Sequence, residues 1–161
     1  MVDPAVYARS GTEHGEQVAL FAWAALNVQN APELRWLHAI PNGGERHKAV
    51  AASMKAEGAR TGVVDVFLPC PRPIWNKDEY VRGELHLARN WYHGLYIEMK
   101  KPAAKLKRGP NGPGPWDYGG VSDDQKEFLD FVTAQGYKGV VCYSWVEAAN
   151  AIKIYLTGSG L

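Results

Sequence analysis

Between residues 12 and 29 the apolar positions fall three and four apart. Val18, Ala22 and Ala25 make one row and Ala19, Trp23 and Leu26 the next, the spacing of a helix with a buried stripe. Thr12 offers a hydroxyl for the N-cap, and Pro32 stops the pattern. Residues 34–40 are a short apolar run of strand length, closed by the turn signal Pro41-Asn42-Gly43-Gly44. A second helix is predicted over about 45–57, with Val50 and Met54 as anchors and Gly58 as its stop. A second strand follows over 62–68. Residues 69–90 hold Pro71, Pro73, Trp75 and the acidic pair Asp78-Glu79 and are too long for a hairpin connection. They read as an irregular insertion with a short helix over about 77–87. A third strand over 92–100 ends at Pro102, and the Gly and Pro content of 105–115 predicts a mobile loop. Ser122-Asp123-Asp124-Gln125 fits a capping box opening a helix to about 135, with Phe128, Leu129 and Val132 inward and Gly136 at its end. A fourth strand over 138–143 and a helix from Ser144 or Trp145 to about 156 complete the chain. The order α-β-α-β-β-α-β-α, without internal repeats, predicts an α/β fold: a mixed sheet of about four strands with helices on both faces.

Two of these strands are interrupted by charge. Gly62-Val63-Val64-Asp65-Val66-Phe67-Leu68 carries Asp65, and Gly94-Leu95-Tyr96-Ile97-Glu98-Met99-Lys100-Lys101 carries Glu98 and Lys100. An ordinary buried strand avoids charge, because an unpaired charge out of water is costly. Alternation places Glu98 and Lys100 on one face and Met99 on the other, and Asp65 joins them if the two strands pair. Two carboxylates and an ammonium on one sheet edge suit a hard divalent cation and an attacking water, a chemistry that cleaves phosphodiesters.

Composition narrows the class. At 161 residues and 17.8 kDa the chain is one domain's length and can bury a real core. The net charge of +1 hides an uneven distribution. Lys100, Lys101, Lys105, Lys107 and Arg108 gather without an acid among them, as do Arg46, His47 and Lys48, and such patches are the footprint of a nucleic-acid partner. No basic segment with an apolar run follows the start and no run is long enough to span a bilayer, so no membrane role and a cytoplasmic location are expected. Cys70 and Cys142 lack metal-ligand spacing and read as two reduced thiols. His38, in a strand, reads as packed, and the tryptophans read as core apart from Trp75 and Trp116 in the loops.

Taken together these residues resemble the PD-(D/E)XK nuclease superfamily, and within it the VRR-NUC branch of virus-type replication-repair nucleases. The resemblance runs from about 13 to 156 and rests on Pro41-Asn42-Gly43-Gly44 with Arg46, Gly58 and Gly62 around the acidic strand, and Ile97-Glu98-Met99-Lys100. Val121-Ser122-Asp123-Asp124-Gln125-Lys126 and the closing Gly136-Tyr137 complete the set. One departure is Val64, where the family often has a proline that shapes the backbone only.

The resemblance implies a restriction-endonuclease-like sheet in a single domain over 1–161, with an insertion over about 69–90 and a mobile basic loop over about 101–120. It implies that Asp65, Glu98 and the backbone carbonyl of Met99 bind Mg2+ or Mn2+, with Glu16, or else Glu13, reaching the metal directly or through water. Lys100 would orient the attacking water or stabilise the scissile phosphate, and Gln125 would sit at the start of its helix near the site, positioning Lys100 or a metal-bound water. Gln125 also fits the capping box and Glu16 also fits a first-turn acid of its helix, so each has a structural reading beside the functional one. Arg46, His47, Lys48, Lys101, Lys105, Lys107 and Arg108 are the candidate DNA contacts. The implied protein is an endonuclease acting on branched DNA as a Holliday-junction-resolvase-like homodimer, of phage or prophage origin. A less selective nickase or flap endonuclease, and a catalytically silent DNA-binding subunit, are the alternatives. Leu20, Phe21 and Trp23 on the first helix, with Ile74, Trp75 and Leu85 in the insertion, supply apolar surface for a dimer.

Overall fold

Thr12 caps the principal N-terminal helix as expected. In the computed structural model, which describes residues 2–41, 53–74, 91–102 and 119–158, its Oγ1 accepts from the Gly15 N–H. A short helix α1 (Pro4–Ala8) precedes it, opened by the Asp3 carboxylate on Ala5 N–H, and α2 runs over Glu13–Asn27. The run expected as a strand over 34–40 is strand only at its end. Residues Pro32–Trp36 wind into a 3₁₀ turn, with proline in its first turn, so that Leu34 and Leu37, three apart, both reach the core. Strand β1 (His38–Ala39) follows.

Residues 53–56 are helical and turn at Gly58, whose φ of +99° suits glycine; the rest of the expected helix lies outside the described residues. Strand β2 (Val66–Leu68) is shorter than the expected 62–68. The expected third strand is divided in two. Trp91–Tyr92 (β4) pairs with Arg72–Pro73 (β3) in a separate two-stranded sheet, and after His93 and Gly94 the chain re-forms as β5 (Leu95–Met99). The insertion therefore begins and ends on a paired strand. Its expected helix over 77–87, with Trp75 and Leu85, lies outside the described residues, as does most of the basic loop. Helix α3 (Asp123–Ala134), strand β6 (Lys138–Cys142) and helix α4 (Trp145–Thr157) close the fold, with the capping box of Ser122 and Gln125 present in full.

The main sheet has the order β1-β2-β5-β6, antiparallel except for the parallel pair β5-β6, which α3 connects. This is the expected mixed four-stranded sheet. Val66, Leu68, Leu95, Ile97 and Met99 face α2 and α4, where Leu20, Trp23, Ala148, Ala149 and Ile152 complete a dry core. Each such Leu or Ile contributes about 1.5–3 kcal/mol by leaving water. The opposite face carries Phe67 stacked on Tyr96 at 4.3 Å, with Phe128 of α3 edge-on at 5.4 Å.

Several expectations are corrected by packing. Leu20 and Trp23 are spent on the chain's own core, while Phe21 packs against it and stays partly exposed. Trp36 and Trp91 are not core but 63% and 51% exposed. His38 is exposed as well, its ring edge-on to Phe67. Both cysteines are free thiols, as expected.

Candidate active site

The register of β2 against β5 sets Val66 opposite Ile97, and one further step along it brings Asp65 opposite Glu98. Alternation then puts Asp65, Phe67, Tyr96 and Glu98 on the α3 face, while Met99 points into the core. Asp65 is fixed at both ends. Its carbonyl accepts from Ile40 N–H at 2.8 Å and its Oδ2 accepts from Met99 N–H at 2.8 Å. The side chain thus continues the ladder where the strand itself stops.

Glu98 is wholly buried. Its Oε1 takes two donors, Lys100 Nζ at 2.6 Å and Gln125 Nε2 at 2.6 Å. Its Oε2 has no hydrogen-bond partner among the described residues. Burial pushes the Glu98 carboxyl up to about 8; the negative charge of Asp65 adds to the rise, and the Lys100 ammonium opposes it. Lys100 is buried too. Its backbone N–H donates to the Cys142 carbonyl at 2.8 Å, carrying the β5-β6 pairing one residue further, and its Nζ lies 4.0 Å from Glu13 Oε1.

Gln125 makes a capping contact and a contact to the charged cluster. As the third residue of α3 it closes the capping box through Oε1 on Ser122 N–H at 3.0 Å, and it spends its Nε2 on Glu98. The helix start is pressed against the acidic loop at Gly62, which has φ +82° and where a Cβ would stand 2.5 Å from Asp124 Cβ. Glycine is required there twice over, by conformation and by space. The four segments singled out in the sequence around Gly62, Asp65, Glu98 and Gln125 therefore meet at one place.

The two acids of α2 divide. Glu13 looks toward Lys100, whereas Glu16 is buried and its Oε2 accepts from Trp145 N–H at 2.7 Å, at the first turn of α4. That contact joins the two helices of the core layer, and nothing in the local spacing of Glu13 and Glu16 marks it, since both fall in the first turn of the same helix. Lys101 is exposed beside the site. Arg46, His47, Lys48, Lys105, Lys107 and Arg108 lie outside the described residues. Among the described residues no group of three or more His, Cys, Asp or Glu side chains is arranged to hold a metal.

A solved structure titled "VRR_NUC domain protein" matches this architecture with a TM-score of 0.55, over 90% of this chain and 88% of that one, at 22% identity. The chain has the VRR_NUC fold. The resemblance read from the sequence is thereby borne out for the fold, and the charged cluster stands in a VRR_NUC-type sheet. No family model and no curated protein matches the chain. Among the described residues, no helix is long and apolar enough to cross a membrane.

Proposed function

We propose that this chain is a Mg2+- or Mn2+-dependent endodeoxyribonuclease that hydrolyses phosphodiester bonds in branched DNA. The observation that carries the reading is Glu98: a buried carboxylate with one oxygen accepting from two donors, the other without a partner among the described residues, and a second carboxylate beside it. Such an arrangement fits a hard cation, which relieves the repulsion between Asp65 and Glu98 and supplies the missing partner of Oε2. Asp65, Glu98 and the Met99 carbonyl would hold the cation. When bound, it supplies a Lewis acid that lowers the pKa of water and neutralises charge on the phosphate. Gln125 holds the plane of the Glu98 carboxylate. Lys100 is the donor placed to orient the attacking water or to meet the phosphate, and Glu13 is the helix acid on that side.

DNA substrates and a two-fold arrangement follow from the same reading. A compact nuclease with one site makes one cut per encounter, whereas resolving a four-way junction takes two opposed cuts. A groove of about 390 Å³ at the base of the insertion, lined by Ile74, Tyr92, Val140, Ile154 and Tyr155 among others, gives a second copy an apolar surface to cover. Lys101, Lys105, Lys107 and Arg108 are assigned to phosphates. Changing the last three to alanine should flatten the salt dependence of DNA binding by about 0.9 per lost contact, while the cleavage step on bound DNA is retained.

The test is cleavage of four-way junction, flap, splayed and linear duplex DNA with Mg2+ or Mn2+, alongside light scattering. Paired nicks in junction DNA and twice the 17.8 kDa mass are expected. Cleavage of flaps alone by a monomer would replace the resolvase reading with a flap endonuclease, and binding without cleavage would leave a silent subunit.

A further inference from the structure

Glu98 has no solvent around it, and the charge that balances its ionised form is the nearly buried Lys100 ammonium, 2.6 Å away. Asp65 and Glu13 both add negative potential at Glu98, and the Lys100 ammonium opposes it. The space around these groups is where the function proposed above requires a divalent cation. An ammonium and a dication repel each other across such a distance, and a buried carboxylate cannot be left without any counter-charge. We propose that Lys100 is a resident counter-ion that holds Glu98 in the cation-free protein and sets the affinity of the site, the cation entering only as Lys100 gives up Glu98.

The choice of lysine fits this role. Its ammonium is a point charge on four rotatable carbons, able to leave one oxygen for another partner, whereas arginine would grip a carboxylate through a planar fork. The ammonium takes only Oε1, so the cation meets Oε2 first and the exchange proceeds without a stage at which Glu98 is bare.

This inference rests on the cation-dependent reading, and its test separates the two. Mn2+ alone is titrated calorimetrically into wild type, Lys100→Met and Lys100→Arg at a pH above about 8, where Glu98 is ionised, and each is melted in EDTA at the same pH. Lys100→Met should bind Mn2+ at least tenfold more tightly and melt earlier in EDTA. Lys100→Arg should bind several-fold more weakly. Equal affinities in all three proteins, or weaker binding by Lys100→Met, would overturn the counter-ion role while leaving the cation site in place. No binding by any of them would overturn both. Should Lys100→Met fail to fold, amine acetylation read by mass spectrometry on wild type decides: saturating Mn2+ should raise labelling at Lys100 at least tenfold, and unchanged labelling would overturn the exchange.

Discussion

Two glutamates are buried among the described residues, Glu16 at 4% and Glu98 at 0% exposure, and they are buried in different ways. Glu16 lies between two helices and spends Oε2 on the backbone N–H of Trp145, in the first turn of α4, where the helix dipole favours a negative charge. Glu98 lies on a strand beside a second carboxylate, with one oxygen crowded by two donors and the other left over among the described residues. Burial of a carboxylate does not by itself mark an active site. What separates the two is whether the chain's own groups balance the charge or leave something for a ligand to do.

That contrast breaks first at Glu98. Glu98→Gln keeps the shape and removes the charge, so cleavage should fall by about a thousandfold or more while the circular dichroism spectrum is unchanged. Retained activity would remove Glu98 from the chemistry. Glu16→Ala should do the reverse: it leaves a buried N–H unsatisfied and unpins two helices, costing about 2 kcal/mol, or roughly 4–8 °C in Tm, with the turnover of the folded fraction nearly normal. If Glu16→Ala instead melts like wild type and loses its Mn2+ affinity, Glu16 is a ligand. Glu13→Gln sharpens the division between the acids of α2, with kcat/KM expected to drop about tenfold and Tm to hold.

The smallest effect is a pH slope. The Glu98 carboxyl is raised from 4.5 to about 8 in the folded chain, so between those values the folded state holds a proton that the unfolded state has released. The stability it contributes is therefore lost as pH rises from about 4.5 towards about 8. Melting in EDTA across that range should show the fall in wild type and a flatter profile in Glu98→Gln; parallel profiles would mean that Glu98 is ionised throughout.

Local chemistry makes the three longer described helices legible in the sequence, whereas the short α1 is not among the elements it predicts. Thr12, Ser122 with Gln125, and Ser144 all cap where their side chains imply, because a cap depends on residues within one turn. Strand limits are less legible. The run over 34–40 curls into a 3₁₀ turn and the run over 92–100 is shared between two sheets, since pairing partners distant in sequence decide where a strand begins. At the site, Asp65, Glu98 and Lys100 can be placed together because alternation along a strand is strict. The different contacts of Glu13 and Glu16 leave no mark in the sequence, because they depend on where α4 packs. Trp36 and Trp91 mislead for a related reason: size alone does not say which side of an edge a ring will take.

Arg72 has a practical consequence for altering this protein. Its guanidinium reaches Glu33 on the 3₁₀ turn, the Leu156 carbonyl at 3.2 Å near the end of α4, the Cys70 thiol at 2.8 Å and the Pro71 carbonyl at 2.9 Å. One side chain so rivets the root of the insertion to the scaffold, while Pro73 opposite Trp91 seals its two stems together. Whatever is threaded between those stems starts and finishes at a fixed port, and lengthening it costs only slowly growing loop entropy. The paired stems Arg72–Pro73 and Trp91–Tyr92 are therefore a fixed seam, and Arg72 is the residue to keep when the chain between them is altered.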